Sequence, residues 1–246
     1  MKVCEILSVG TELLLGDVVD TNASYLSQKM KEVGYSVLHR QTCGDNEGRL
    51  SDCLRLALSR SDLVLVTGGL GPTYDDITRE VTASVLNLPL EKNRAAEEGI
   101  RSYFARRGIP MSENNLRQAM VPCGAEVPQN DWGTAPGLWM RQDEKGVILL
   151  PGVPREMKAL MEHRVLPVLR KEGNRVLHTQ ILHCYGISES LLDEQLGEKM
   201  RTSLNPTLAP YAVESGVELH VTASAESQQE AESLCLKMQE IGRAHV

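Results

Sequence analysis

Aromatic residues are scarce in this chain, 4% of 246 residues with a single Phe, so its core has to be built from Leu, Val, Ile, Met and Ala. The six cysteines (Cys4, Cys43, Cys53, Cys123, Cys184 and Cys235) are scattered and show no C-x-x-C spacing. That argues against a zinc site or a disulfide framework and for a reducing cytoplasm. Cys4, in an apolar opening strand, is expected to behave as a small buried hydrophobe. Positive charge is in deficit, the net charge being −7, which speaks against a nucleic-acid surface because phosphate binding needs clustered Lys and Arg. A local basic pocket stays compatible with it. No apolar run approaches the ~20 residues needed to span a bilayer. The stretch from Met1 to Gly10 is too short for a signal peptide before it meets Thr11-Glu12. A soluble, cytoplasmic protein is the expectation. G-x-S-x-G, H-E-x-x-H and a P-loop lysine are all missing, which leaves the familiar hydrolase, zincin and Walker-type readings without support. The histidines are dispersed, and His178 and His183 fall in a predicted strand where solvent exposure is expected.

What the chain does carry is alternation. Residues 3–9 form a short apolar run closed by Gly10, the pattern of a strand buried on both faces. Residues 20–31 have helical spacing, with Ala23, Leu26 and Met30 on one face and Thr21 or Asp20 as cap. Residues 35–40 and 62–67 read as further strands, and 47–59 and 76–86 as helices. Such an order predicts a three-layer α/β domain, a parallel sheet with helices on both faces, whose ligands bind outside the carboxyl ends of the strands. Those ends are Gly10-Thr11-Glu12, Thr42-Cys43-Gly44-Asp45 and Thr67-Gly68-Gly69-Leu70-Gly71. Helices over 93–107 and 112–119, a hairpin of 138–140 with 147–150, and an amphipathic helix over 156–170 behind Pro154 complete a first domain, residues 1–172. The polar stretch Lys171-Glu172-Gly173-Asn174-Arg175 is the expected boundary. Beyond it, strand (177–184), helix (188–200), strand (217–223) and helix (228–239) predict a small α+β domain over 176–239. Residues 240–246 resemble a translated sequencing-adapter sequence, so the native chain is expected to be cut near Gln239 and the tail to be non-native.

The most informative segment is Thr67-Gly68-Gly69-Leu70-Gly71-Pro72-Thr73-Tyr74-Asp75-Asp76-Ile77-Thr78. A strand opens into a glycine-rich loop and then into a helix starting near Asp76. Glycines let backbone approach a phosphate, and N–H groups at a helix start attract anions. Asp75 and Asp76 have two readings: caps at the positive dipole end, or holders of a metal ion that bridges to phosphate oxygens. Two adjacent acids suggest that one caps and one coordinates. Glu12 faces the ligand cleft or is an ordinary solvated loop carboxylate; Asp17, Asp20 and Asn22 follow it and serve equally well as caps. Asp45 is a third cleft carboxylate or a turn residue before Glu47. Asn130-Asp131-Trp132-Gly133-Thr134-Ala135-Pro136-Gly137 and Leu150-Pro151-Gly152-Val153-Pro154-Arg155-Glu156 are ordinary turns singly, yet together they flank a hairpin as a ligand rim.

In combination these loops resemble those of the CinA family (competence/damage-inducible proteins), whose front domain shares its fold with molybdopterin-binding proteins such as MogA, MoaB and the MoeA/gephyrin core. Asn114-Asn115 with Gln118-Ala119 also match, and the resemblance runs from Met1 to about Arg170. Gly186-Ile187-Ser188-Glu189-Ser190 and Asn205-Pro206-Thr207-Leu208-Ala209-Pro210-Tyr211 resemble the family's small KH-like domain, without a G-x-x-G loop suited to RNA. The resemblance implies a metal-dependent ADP-ribose pyrophosphatase that yields AMP and ribose 5-phosphate. It also implies a homo-oligomer acting on a small-molecule nucleotide, with no nucleic-acid or membrane partner. Asp76, Glu12 and Asp45 would be catalytic, with a divalent ion (Mg, Mn or Co) on Asp76 and Glu12. Gly10, Thr11, Asn22, Gly68, Gly69, Gly71, Pro72, Thr73, Thr78, Gly133, Thr134, Ala135, Pro136, Gly137, Pro151, Gly152, Pro154 and Glu156 would bind substrate. The alternative is a module that binds molybdopterin or a nucleotide without hydrolysing it. Nothing here corresponds to the nicotinamide mononucleotide deamidase domain that many family members add. Asp17 and Tyr74 depart from the family pattern, which favours a neutral and a small residue there.

Overall fold

The computed structural model describes residues 2–142, 145–172, 176–214 and 216–243. The chain divides into two compact units, Met1–Lys31 with Tyr35–Leu169, and Glu32–Gly34 with Arg170–Val246. The first contains β1 (Lys2–Val9), α1 (Thr11–Leu15), α2 (Thr21–Glu32), β2 (Tyr35–Cys43), α3 (Glu47–Arg60), β3 (Leu63–Thr67) and α4 (Thr78–Val85). It continues through β4 (Leu90–Lys92), α5 (Arg94–Arg107), a 3-10 turn (Glu113–Ala119), β5 (Met120–Pro122), β6 (Leu138–Gln142), β7 (Lys145–Leu150), α6 (Pro154–Leu160) and α7 (Leu166–Glu172).

The main sheet runs β2-β1-β3-β7-β6, all parallel except the edge strand β6. From β1 the chain crosses to one side to make β2, then returns to the other side for β3. This reversal leaves a crevice between the carboxyl ends of β1 and β3, where open α/β sheets bind ligands. β3 (Leu63–Thr67) is buried throughout, as its unbroken apolar run requires of a strand covered on both faces. On one face Leu7, Val9, Val64, Val66, Val147 and Leu149 pack with Leu50, Leu54 and Ala57 of α3 and Val81 of α4. The intervening side chains, Cys4, Ile6, Leu65 and Ile148, point the other way and are equally buried. Burial pushes the Cys4 thiol far above its ordinary range, as a small apolar filler should show.

Local chemistry sets several boundaries. Asn46 accepts the Arg49 N–H (3.1 Å) at the start of α3, and Asn93 accepts the Ala96 N–H (2.9 Å) at the start of α5. The predicted helix over 156–170 is present, but a π-turn spans Met161–Val165, just before Pro167, which has no N–H to continue an α ladder. The predicted helix over 112–119 is a 3-10 turn, and α1 and the short β4–β5 pair lie where the sequence reads as loop.

The second unit carries β8 (Val176–Cys184), α8 (Glu189–Thr202), β9 (Thr207–Val213), β10 (Gly216–Ala225) and α9 (Gln228–Arg243), with an antiparallel sheet in the order β8-β10-β9. Its core joins Leu192 and Leu196 of α8, Val217, Leu219 and Val221 of β10, and Ala231 and Cys235 of α9. β9 lies where the sequence analysis assigned no element, and it contains Pro210. Its place at the sheet edge is where a missing N–H is tolerated. His183 is exposed, whereas His178 is half-buried, with its Nδ1 3.1 Å from Gln228 Nε2. Residues 173–175 of the expected boundary and 244–246 of the tail lie outside the described residues, and 240–243 continue α9. Among the described residues no helix is long and apolar enough to cross a membrane.

Candidate functional site

Gly68 is where three strand ends meet. Its φ is +107°, a region open to glycine, and a Cβ there would overlap the carbonyl oxygen of Val9 at the end of β1. A Cβ on Gly152, just after β7, would lie 3.3 Å from the Gly68 Cα. The loop that follows is held from behind through its carbonyls. Thr78 Oγ1 donates to the Gly68 carbonyl (2.9 Å), Arg79 Nη1 and Gln118 Nε2 to that of Leu70 (3.0 and 3.1 Å), and Arg117 Nη1 to that of Thr73 (2.9 Å). Arg79 is 1% exposed. Burial pulls its pKa down while the neighbouring Glu80 resists that shift. A guanidinium enclosed behind a glycine loop adds positive potential to whatever the loop faces.

The loop forms one wall of a cleft of about 550 Å³, a size suited to a small molecule. Of the residues expected to form the site, Gly10, Glu12, Asn22, Asp45, Gly68, Gly69, Gly71, Pro72, Asp76, Thr134, Ala135, Pro151, Gly152, Pro154 and Glu156 line it. Thr11, Thr73, Thr78, Gly133, Pro136 and Gly137 do not. Each of the three threonines supports a lining residue: Thr78 holds Gly68, Thr73 holds Asp76, and Thr11 holds Asp45. Gly133 is buried beneath Glu156, with no room for a Cβ, and Gly137 is buried with Pro128 3.2 Å from where its Cβ would stand. Pro136 is buried as well.

Glu12, Asp45 and Asp76 line the cleft as expected, but the capping role read for Asp75 and Asp76 is not seen. α4 starts at Thr78, and its cap position, Ile77, makes no side-chain cap bond. Neither Asp75 nor Asp76 caps it. Asp76 Oδ2 accepts the Thr73 N–H (2.8 Å) and hydroxyl (2.5 Å), and Gly71 leaves the space its carboxylate fills. Asp75 also meets that hydroxyl, at 2.6 Å, and the bond holds its pKa below the usual carboxylate value. Glu12 stands in the first turn of α1, a helix with no buried residue. Its carboxylate folds back over Gly10, where a Cβ would come within 2.5 Å of Oε1. Asp45 Oδ2 accepts from the Thr11 N–H (2.9 Å) and hydroxyl (2.8 Å), clasping the ends of β1 and β2 together. Asp20 does cap α2, through the Ala23 N–H (2.9 Å), and also accepts from Ser8 Oγ (2.6 Å).

The opposite rim depends on Asn130. Its Oδ1 accepts the N–H groups of Trp132 and Gly133 (3.0 Å each), and its Nδ2 donates to the Ala135 carbonyl (2.8 Å) and to Glu156 Oε2 (3.0 Å). Burial raises the Glu156 pKa, against the pull of the Asn130 bond. Leu13, Val18, Val19, Val153, Thr67 and Gln118 also line the cleft; Thr67, Val153 and Gln118 lie within the motifs read from the sequence but were not singled out, and Val18 and Val19 carry no sign of it.

Comparison with known proteins follows the same division of the chain. A family model described as a probable molybdopterin binding domain matches residues 5–171, and one described as the damage-inducible protein CinA KH domain matches residues 179–243. A CinA-like protein of Dictyoglomus thermophilum is 46% identical over 231 residues, covering 94% of this chain and 56% of the relative. One from Dictyoglomus turgidum is 45% identical with the same coverage. The chain thus spans just over half the length of these curated relatives. The crystal structure of a CinA protein of unknown function from Thermoplasma acidophilum superimposes with a TM-score of 0.60 at 35% identity, over 65% of this chain and 94% of that one.

Proposed function

This chain belongs to the CinA family, and from that premise we propose that its cleft binds a nucleoside diphosphate ester and hydrolyses the pyrophosphate link, with ADP-ribose as substrate and AMP and ribose 5-phosphate as products. One observation carries the reading: the glycine loop Gly68–Gly71 and the carboxylates of Glu12, Asp45 and Asp76 line a single cleft at the topological switch point. The loop's carbonyls at Gly68, Leu70 and Thr73 are taken up by Thr78, Arg79, Gln118 and Arg117, and the N–H groups of Gly68 and Thr73 by Leu150 and Asp76; a phosphate would meet the N–H groups of Gly69, Leu70 and Gly71. The exposed apolar side chains of Val18, Val19 and Val153, on the rim of the same cleft, give a heterocycle a surface to lie on.

The donors suit a hard divalent ion. They are all oxygens, and no three His, Cys, Asp or Glu side chains converge into a closed cage among the described residues. A Mg-type ion commonly takes one or two carboxylates and completes its shell with water and phosphate oxygens. Asp76 and Glu12 would hold it, and it would neutralise diphosphate charge and make a bound water more acidic. Asp45, fixed on one oxygen by Thr11, would accept a proton from the attacking water. Loop N–H groups would stabilise charge on the phosphoryl oxygens. The second reading is a binding module for molybdopterin or a nucleotide. It is favoured by the lack of a converged metal cage among the described residues and by the description of the matching family model.

The deciding assay is AMP release from ADP-ribose by the purified chain with and without Mg²⁺, Mn²⁺ or Co²⁺. Metal-dependent release is expected. A folded protein that binds ADP-ribose yet releases no AMP with any of these ions would leave the binding reading in its place. We further propose that the protein is cytoplasmic and a homo-oligomer with no nucleic-acid partner; sedimentation tests the second point, and oligonucleotide binding the third.

A further inference from the structure

Two amide oxygens carried by residues that line the cleft are buried and have no hydrogen-bond partner, Asn22 Oδ1 and Gln118 Oε1. Both residues line the cleft, and both are enclosed, Asn22 at 8% and Gln118 at 1% exposure. Buried polar atoms are nearly always paired, so an orphan needs an explanation. Exchanging the amide oxygen and nitrogen does not remove either one. Thr67 Oγ1 gives its proton to the Pro151 carbonyl (2.9 Å), so it must accept from Asn22 Nδ2 (3.1 Å), which also donates to the Gly152 carbonyl (2.8 Å). Gln118 Nε2 donates to the Leu70 carbonyl (3.1 Å), which can only accept. The surrounding bonds therefore fix each NH₂ on the protein and leave each oxygen as an acceptor.

Resting on the diphosphate reading above, we propose that Asn22 and Gln118 are specificity-determining residues whose oxygens accept hydrogen bonds from hydroxyl groups on the sugar next to the diphosphate. An ionised diphosphate offers only acceptors and gains nothing from an amide oxygen, whereas a ribose hydroxyl supplies the donor each of these atoms lacks. The pair thus separates sugar-bearing diphosphate esters from bare pyrophosphate, by an attraction for one and an unmet need against the other. Gln118 serves twice: its nitrogen holds the glycine loop through Leu70, and its oxygen reads the ligand.

The test is calorimetric titration of the full chain, with Mg²⁺ present, against two non-hydrolysable probes: the α,β-methylene analogue of ADP-ribose and methylenediphosphonate. Wild type should bind the sugar-bearing probe more tightly by roughly 10-fold or more, the scale of one buried hydrogen bond. Analogues of that probe lacking ribose hydroxyls should lose most of the preference, which tests the idea without any variant. Gln118→Met, which also releases the loop at Leu70, should weaken both probes but the sugar-bearing one by a further several-fold, so that the preference falls. Gln118→Glu, which keeps an acceptor oxygen but loses the donor to Leu70, should retain it. Equal weakening of both probes in Gln118→Met would assign the residue a purely structural role and overturn the proposal. An unchanged preference in that variant, or in the hydroxyl-free analogues, would overturn it too. Failure of both probes to bind a folded protein would bring down the diphosphate reading and this proposal together. A preference that follows the hydroxyls in a protein that releases no AMP would uphold the proposal and refute hydrolysis alone.

Discussion

Single side chains decide two separate properties of the first unit. Asp76 is held by both donors of Thr73 on one oxygen, so Asp76→Asn can keep an acceptor there. It is expected to abolish metal-dependent AMP release with little change in thermal midpoint. Glu12→Gln, at an exposed position, should show a smaller loss; full activity in either folded variant would remove that residue from the metal site. Glu5 governs stability. It has no exposed surface and accepts two bonds from Arg60 (2.9 and 2.6 Å) and one from Gln41 (2.5 Å). Burial raises its pKa, but Arg60 and Gln41 outweigh that and leave it below the ordinary 4.5. Its stabilising contribution is therefore complete above pH 4.5 and fades as the pH falls through the lowered folded value. Glu5→Gln should lower stability at neutral pH by roughly 1–2 kcal/mol in urea unfolding, because it replaces charge-assisted bonds at a fully buried side chain by neutral ones. The gap between wild type and variant should narrow below pH 4.5, and a gap constant down to pH 3 would contradict this account.

At the level of elements, the start of α4 illustrates how residues with the composition of a cap can take other bonds. Asp75-Asp76 has the composition of a helix cap, yet the helix begins two residues later at Thr78. Thr73 captures both aspartates first, its N–H donating to Asp76 and its single hydroxyl proton lying within reach of either carboxylate. Thr78, expected to touch substrate, is wholly buried and anchors the Gly68 carbonyl instead. Thr78→Val is expected to leave that carbonyl unpaired, lower stability by about 1–3 kcal/mol, and weaken diphosphate binding through a loosened loop. Wild-type affinity in a destabilised Thr78→Val protein would show that the loop's course does not depend on this anchor. β9 was hidden for a different reason: Pro210 argues against a central strand, and only the sheet order reveals that the strand is an edge.

On the scale of the whole chain, the five-stranded sheet and the three-stranded sheet each carry a buried apolar cluster. Every residue lining the cleft belongs to the first unit. A fragment of residues 1–172 is accordingly expected to fold cooperatively and to bind the α,β-methylene analogue of ADP-ribose as the full chain does. A tenfold or greater loss of affinity in a folded fragment would mean that the second unit contributes to the site.

The sequence alone determined the layers and the chemistry of the loops. Helical and strand periodicities are local, so alternation announces a parallel α/β sheet, and a glycine run after a buried strand announces a loop whose backbone a ligand can approach closely. Glu12 and Asp45 were legible as cleft residues because each follows a strand end, and Asp76 because it closes the glycine loop, whereas Asn22, within α2, was picked out by the resemblance alone. Which partner each of them takes was not legible, since the partners are remote: Asn22 bonds Gly152 across 130 residues and Asp45 bonds Thr11 across 34. Only the strand order β2-β1-β3-β7-β6 brings Gly10, Gly68 and Gly152 to one crevice. Only close packing there satisfies the hydroxyls of Thr11, Thr73 and Thr78 internally while leaving the oxygens of Asn22 and Gln118 unmet. Hydrogen-bond satisfaction is a property of the assembled interior, and no local pattern encodes it.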